Sequence, residues 1–126
     1  MNNIERFFQN EKWYDERFYG ENEITLSIKE NPNLYLHIWD GYLNFILDDV
    51  RMLKDRWIGF TRDNQEFIRT FSGDVVEIEN LDEYITDLLL YKGKKLDEED
   101  SEVYKLILDF LYFAKENNLT VLAEYE

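Results

Sequence analysis

Apolar positions alternate with polar or aromatic ones along residues 34–47, LYLHIWDGYLNFIL, in two runs that flank Asp40-Gly41. An Asp-Gly loop is a strong hairpin signal, because a tight two-residue turn needs positive φ at both positions. With that loop Trp39 pairs with Tyr42, Ile38 with Leu43, Leu36 with Phe45 and Leu34 with Leu47. Leu34, Leu36, Ile38, Leu43, Phe45 and Leu47 then share one face, and Tyr35, His37, Trp39, Tyr42, Asn44 and Ile46 share the other. The first set predicts a core face. The second is aromatic and half polar, either the floor beneath a helix or a surface. Just upstream, Ile24, Leu26 and Ile28 alternate with Thr25, Ser27 and Lys29, which predicts another strand. A turn at Glu30-Asn31-Pro32-Asn33 joins it to the hairpin, so the three strands are expected to form an antiparallel meander.

Helical spacing brackets this β-rich region. Asn2 or Asn3 can cap a first helix whose apolar positions are Ile4, Phe7, Phe8, Tyr14 and Phe18, ending at Gly20. Residues 48–56 read equally as a short helical turn or an irregular crossover. Residues 57–61 and 66–71 predict strands joined by a turn at Arg62-Asp63-Asn64, and residues 75–79 alternate again. From Asn80 the period changes. Asn80 with Glu83 has capping-box spacing, and Leu81, Tyr84, Ile85, Leu88 and Leu89 form an apolar stripe that ends before Gly93. A last helix carries Val103, Leu106, Ile107, Phe110, Leu111 and Ala114 on one stripe and Tyr104, Leu108, Tyr112 and Phe113 elsewhere. Being apolar nearly all round, it must be covered on more than one side. Asn117-Asn118 end it and residues 119–124 form a short strand. The fold class expected is α+β, a mainly antiparallel sheet of about five or six strands packed with three helices in one domain spanning 1–126.

Composition adds one strong fact. The 126 residues carry 14 Lys and Arg against 28 Asp and Glu, a net charge of −14, on a chain that is 44% apolar and 17% aromatic. Such a chain folds, and its field repels nucleic acid and anionic membranes while attracting basic proteins. With no cysteine there is no disulfide framework or thiolate metal site. No basic, apolar, small-residue leader pattern opens the sequence and no stretch reaches 18 apolar residues, so a cytoplasmic location is expected.

Candidate chemistry is sparse. His37 is the only histidine and must serve any histidine-based triad; mid-strand, it reads as a packed or surface residue. Carboxylate pairs such as Asp48 with Asp49, or Glu77 with Glu79 about 7 Å apart on one strand face, could act as acid and base. Acids at this density produce such pairs by chance. The DEED run lacks the alternating acids and central glycine of a calcium loop, and all five glycines are isolated, so no phosphate loop exists. No catalytic residue, metal ligand set or cofactor is expected. What remains is acid interleaved with aromatics, the composition of a surface that steers and anchors a basic partner. The candidate partner-binding residues are Asp97, Glu98, Glu99, Asp100 and Glu102, then Glu77, Glu79, Asp48 and Asp49, and the outer hairpin face of Tyr35, Trp39 and Tyr42.

A small, acidic, cysteine-free, aromatic-rich α+β chain with HIWDGYLNF at its centre and DEEDSE as an acid run resembles the immunity proteins of bacterial polymorphic-toxin and contact-dependent growth-inhibition systems. The resemblance implies a cytosolic protein that binds a cognate toxin domain, in many cases a nuclease with a basic cleft, and blocks it. Two other readings fit the same charge: a nucleic-acid mimic of phage or anti-CRISPR type that inhibits a DNA- or RNA-binding effector, and a structural domain whose acidity serves only solubility.

Overall fold

The computed structural model describes residues 22–39, 41–43, 58–60, 74–89 and 98–125. Four strands and two helices are bounded within them: β1 (Glu23–Ile28), β2 (Asn31–Trp39), β3 (Asp74–Ile78), α1 (Leu81–Leu89), α2 (Glu98–Glu116) and β4 (Val121–Tyr125). The class is α+β, as the patterning predicts. Among the described residues the sheet has four strands rather than five or six, in the order β2-β1-β4-β3 with every neighbour antiparallel.

Alternation explains which way each strand faces. Ile24, Leu26 and Ile28 of β1, Leu34, Leu36 and Ile38 of β2, Ile78 of β3, and Val121, Ala123 and Tyr125 of β4 are all buried. Across the sheet they line up in rows, Ile38-Ile24-Tyr125 and Leu36-Leu26-Ala123-Val76. Val103, Leu106, Ile107, Phe110, Leu111 and Ala114 of α2 and Tyr84, Ile85 and Leu88 of α1 join them in one apolar cluster. The six α2 residues are the stripe read from helical spacing. The helices therefore cover one face of the sheet, and their own contacts set them antiparallel. At one end Lys115 pairs with Asp82; at the other the Tyr104 hydroxyl donates to the Leu88 carbonyl at 2.7 Å. That bond gives the polar end of Tyr104 a partner while the residue packs against the cluster at the edge of the stripe.

Both helix boundaries are chemically specified. The Asn80 side chain accepts from the Glu83 amide at 3.2 Å, the capping bond expected. The Glu83 carboxylate, however, accepts the Gly59 amide at 3.2 Å instead of turning back to its own cap. At the end of α2, Leu119 donates to the Ala114 carbonyl at 2.9 Å and Asn118 to the Lys115 carbonyl at 3.3 Å, with Asn118 at φ 54°. This is the paired bonding of a left-handed helix stop, with Asn in the place glycine usually takes.

Two expectations fail here. The Asp40-Gly41 hairpin does not form: β2 ends at Trp39, residues 41–43 are helical, and the hairpin partner of β2 is β1, joined to it through Lys29 and Glu30. Tyr42 and Leu43 are both buried, 2% and 1% exposed. Successive strand residues point to opposite faces, whereas a helical turn can send neighbours into the same core. The strand read at 57–61 is also absent where described, since Gly59 and Phe60 are helical. The other neighbour of β1 is β4, so the meander reduces to a single hairpin. The turn read at Glu30-Asn31-Pro32-Asn33 falls earlier in the structure, at Lys29-Glu30, because Asn31 already pairs with Ile28 and the surplus residues of β2 form an irregularity opposite Ser27 and Ile28. The predicted first helix, the strand at 66–71 and residues 44–56 lie outside the described residues.

Candidate functional site

The outer face of the sheet follows from the same registers. Trp39 stands beside Glu23; His37, Thr25, Glu124 and Val75 form the next row; Tyr35, Ser27, Leu122 and Glu77 form the row after it. Tyr35, His37 and Trp39 are half-buried. The imidazole Nε2 of His37 donates to Glu23 Oε1 at 2.8 Å across the hairpin, which ties up one acid and the only histidine on this face.

The candidate aromatics separate. Tyr42 is not a surface anchor, because its ring is 2% exposed. It still supports the surface from below. Trp39 meets it edge-to-face, centroids 5.3 Å apart at 81°, and the Tyr42 hydroxyl donates to Glu99 Oε1 in the first turn of α2. Trp39 therefore lies over a buried tyrosine that also fixes the acidic start of α2. Gly41 is required for this arrangement, since a Cβ there would sit 2.4 Å from the Trp39 ring. Tyr35 lies two rows away from this end of β2.

The candidate acids fall into two groups. Glu98, Glu99, Asp100 and Glu102 occupy the first turns of α2, where the unpaired amides of the helix favour negative charge. Glu77 and Glu79 lie at the opposite end, beside the start of α1 and the end of α2, roughly 24 Å further along the α2 axis. β3 stops at Ile78 and Glu79 sits in a bend, so the two do not form a carboxylate pair on one strand face. Instead Glu77 receives the Lys29 ammonium at 2.9 Å, which raises the lysine pKa chiefly through that hydrogen bond. Asp82 likewise raises Lys115. Asp48, Asp49 and Asp97 lie outside the described residues.

A cleft of about 470 Å³ opens at this second end, bordered by Glu77, Glu79, Asp82, Lys115, Asn118 and Thr120. Sequence reading missed it, because it exists only where β4 enters between β1 and β3. The Lys29 amide donates to the Thr120 carbonyl at 2.8 Å and Glu30 Oε1 accepts the Thr120 amide at 2.8 Å, closing the sheet beside it. That amide is the first cause of the lowered Glu30 pKa.

Fifteen acidic residues and three lysines lie among the described residues, and two of the lysines, Lys29 and Lys115, are engaged by acids. Within the same residues no group of three or more His, Cys, Asp or Glu is placed to hold a metal ion, and no helix is long and apolar enough to cross a membrane. No protein family, curated protein or solved structure matches the chain.

Proposed function

We propose that this chain is a small acidic interaction protein of the cytoplasm that binds a basic protein partner and neutralises it, acting as an immunity protein against a nuclease-type toxin domain. The observation that carries the reading is the joint placement of Trp39, Tyr42 and the first turns of α2. A half-buried tryptophan packed on the tyrosine that bonds Glu99, in a helix start that also carries Glu98, Asp100 and Glu102, combines an aromatic anchor with a field that steers a cationic surface. A toxin that cleaves nucleic acid must present cations to phosphates, and the same cations are what this surface would meet. Acidity kept for solubility alone does not require the aromatic beside the acids.

The test is co-purification of the chain with proteins from its native operon, followed by assay of the captured partner. Stoichiometric suppression of a nuclease activity supports the reading. Capture of a DNA-binding effector that is displaced from its nucleic acid in direct competition would instead establish mimicry. Recovery of no basic partner would overturn both.

A further inference from the structure

On the outer face of the sheet β1 carries two small side chains, Thr25 and Ser27, and larger ones flank them, Tyr35 and His37 on β2 and Leu122 and Glu124 on β4. Side chains stand roughly perpendicular to a sheet, so this arrangement leaves a shallow trough along β1, about 10 Å across from β2 to β4. Water still reaches it. Thr25, Ser27, Leu122 and Glu124 are half-buried, and Val75, beside Glu124 on β3, is 55% exposed. The charges of the face are already matched elsewhere: Lys29 holds Glu77 at 2.9 Å and His37 donates to Glu23 at 2.8 Å. Glu124, half-buried between them, makes no hydrogen bond or ion pair among the described residues. A carboxylate that gives up hydration without a bond in return costs the fold stability, and a cation docked on it offsets that cost.

We infer that this trough receives an arginine side chain of the basic partner. The stem lies over Thr25 and Ser27, and the guanidinium meets the Glu124 carboxylate, with which it forms two parallel hydrogen bonds. Tyr35 and Leu122 supply apolar walls for the stem, and the Tyr35 ring attracts a cation over its face. Lysine fits less well, because a compact, strongly hydrated charge gains little from flat walls and makes no bidentate bond. Trp39 stands beside Glu23 at the end of the same face, so one docked surface covers both the aromatic anchor and the trough. A second copy of this chain brings a net charge of −14 to that surface and is opposed.

The inference rests on the proposed function for the biological partner, but its test begins without that partner. The probe is acetyl-Gly-Arg-Gly-amide, titrated into the full chain at low salt and followed through backbone amide signals. The citrulline peptide, equal in shape and uncharged, is the control. Shifts concentrated on residues 25–27 and 122–124 are expected with the arginine peptide alone, and Glu124→Gln should weaken it by about tenfold. The free Glu124→Gln chain should resist urea at least as well as the parent, because the carboxylate it loses made no bond. Shifts centred on the first turns of α2, equal binding by the citrulline peptide, or a less stable Glu124→Gln chain would each overturn the inference. With the captured partner, a Glu124→Gln chain that neutralises as well as the parent would overturn it and leave the immunity reading standing. A parent chain that neutralises nothing, while the arginine peptide still seats on Glu124, would sink the immunity reading and leave the trough.

Discussion

The Tyr42 hydroxyl donates to the Glu99 carboxylate, joining the helical turn after β2 to the first turn of α2 across 57 residues of chain. One end of this bond is buried and the other is charged, so each half can be removed separately. Tyr42→Phe keeps the ring and loses the donor, and should lower unfolding free energy by about 1.5–3 kcal/mol, the range for hydrogen bonds to charged groups. Tyr42→Ala should cost about 3–5 kcal/mol because a cavity is added. Urea unfolding of both, with Glu99→Gln completing a double-mutant cycle, checks the ranking; equal losses for Phe and Ala would show that the ring contributes nothing.

Gly59 has φ +56°, and a Cβ there would lie 2.9 Å from the Asp87 Cβ and 3.0 Å from the Tyr84 Cα. Neither neighbour is the end of a flexible side chain. Gly59→Ala should therefore lower the melting temperature through backbone strain of about 1–2 kcal/mol plus the displacement of α1. Thermal unfolding by circular dichroism measures it.

Asn118 ends α2 in the left-handed region. Asn118→Gly should preserve stability or raise it by up to about 1 kcal/mol, whereas Asn118→Val should lower it by about 1–2 kcal/mol. Helix content is expected to stay constant while the urea midpoint moves in opposite directions.

Glu30 accepts the Thr120 amide, and this holds its carboxyl below the usual carboxylate pKa. With the folded value depressed, the stabilisation is complete above the unfolded-state pKa and is lost as pH falls through the folded one. In a carboxyl NMR titration Glu30 should protonate at lower pH than an ordinary glutamate, and the Thr120 amide signal should move with the same midpoint. Coincidence of Glu30 with unperturbed glutamates would remove the bond.

At the acidic start of α2, replacing Glu98, Asp100 and Glu102 by their amides should slow association with the partner by about tenfold or more at low salt and flatten its salt dependence, because steering acts mainly on the on-rate. Stopped-flow association at two ionic strengths checks this. Trp39→Ala should act instead on dissociation, with at least about 2 kcal/mol lost from binding.

Local pattern made much of this legible. The inward positions of β1 and β2, the existence of β4, the α2 stripe, the Asn80 cap and the Asn117-Asn118 stop each depend on residues a few places apart. Asp40-Gly41 misled because Asp and Gly favour a tight turn while Asp equally favours a helix start. Burial of the adjacent Tyr42 and Leu43 decides for the helical turn, and that burial depends on α2, far along the chain. The placement of β4 between β1 and β3 was invisible for a related reason: no local signal orders strands separated by nearly the whole domain. Of the candidate site, the acids of α2 and Trp39 were found as a composition, but their meeting through Tyr42 was not.

That central position of β4 also governs biosynthesis. Ile24 pairs with Tyr125, and β3 has no other sheet neighbour than β4 among the described residues. At ribosomal speeds of about 5–20 residues per second, β1 waits roughly 5–20 s for the strand that completes the sheet. During that interval the nascent chain exposes one side of the β1–β2 hairpin and the whole of β3. A net charge of −14 opposes association between copies that have not yet closed the sheet.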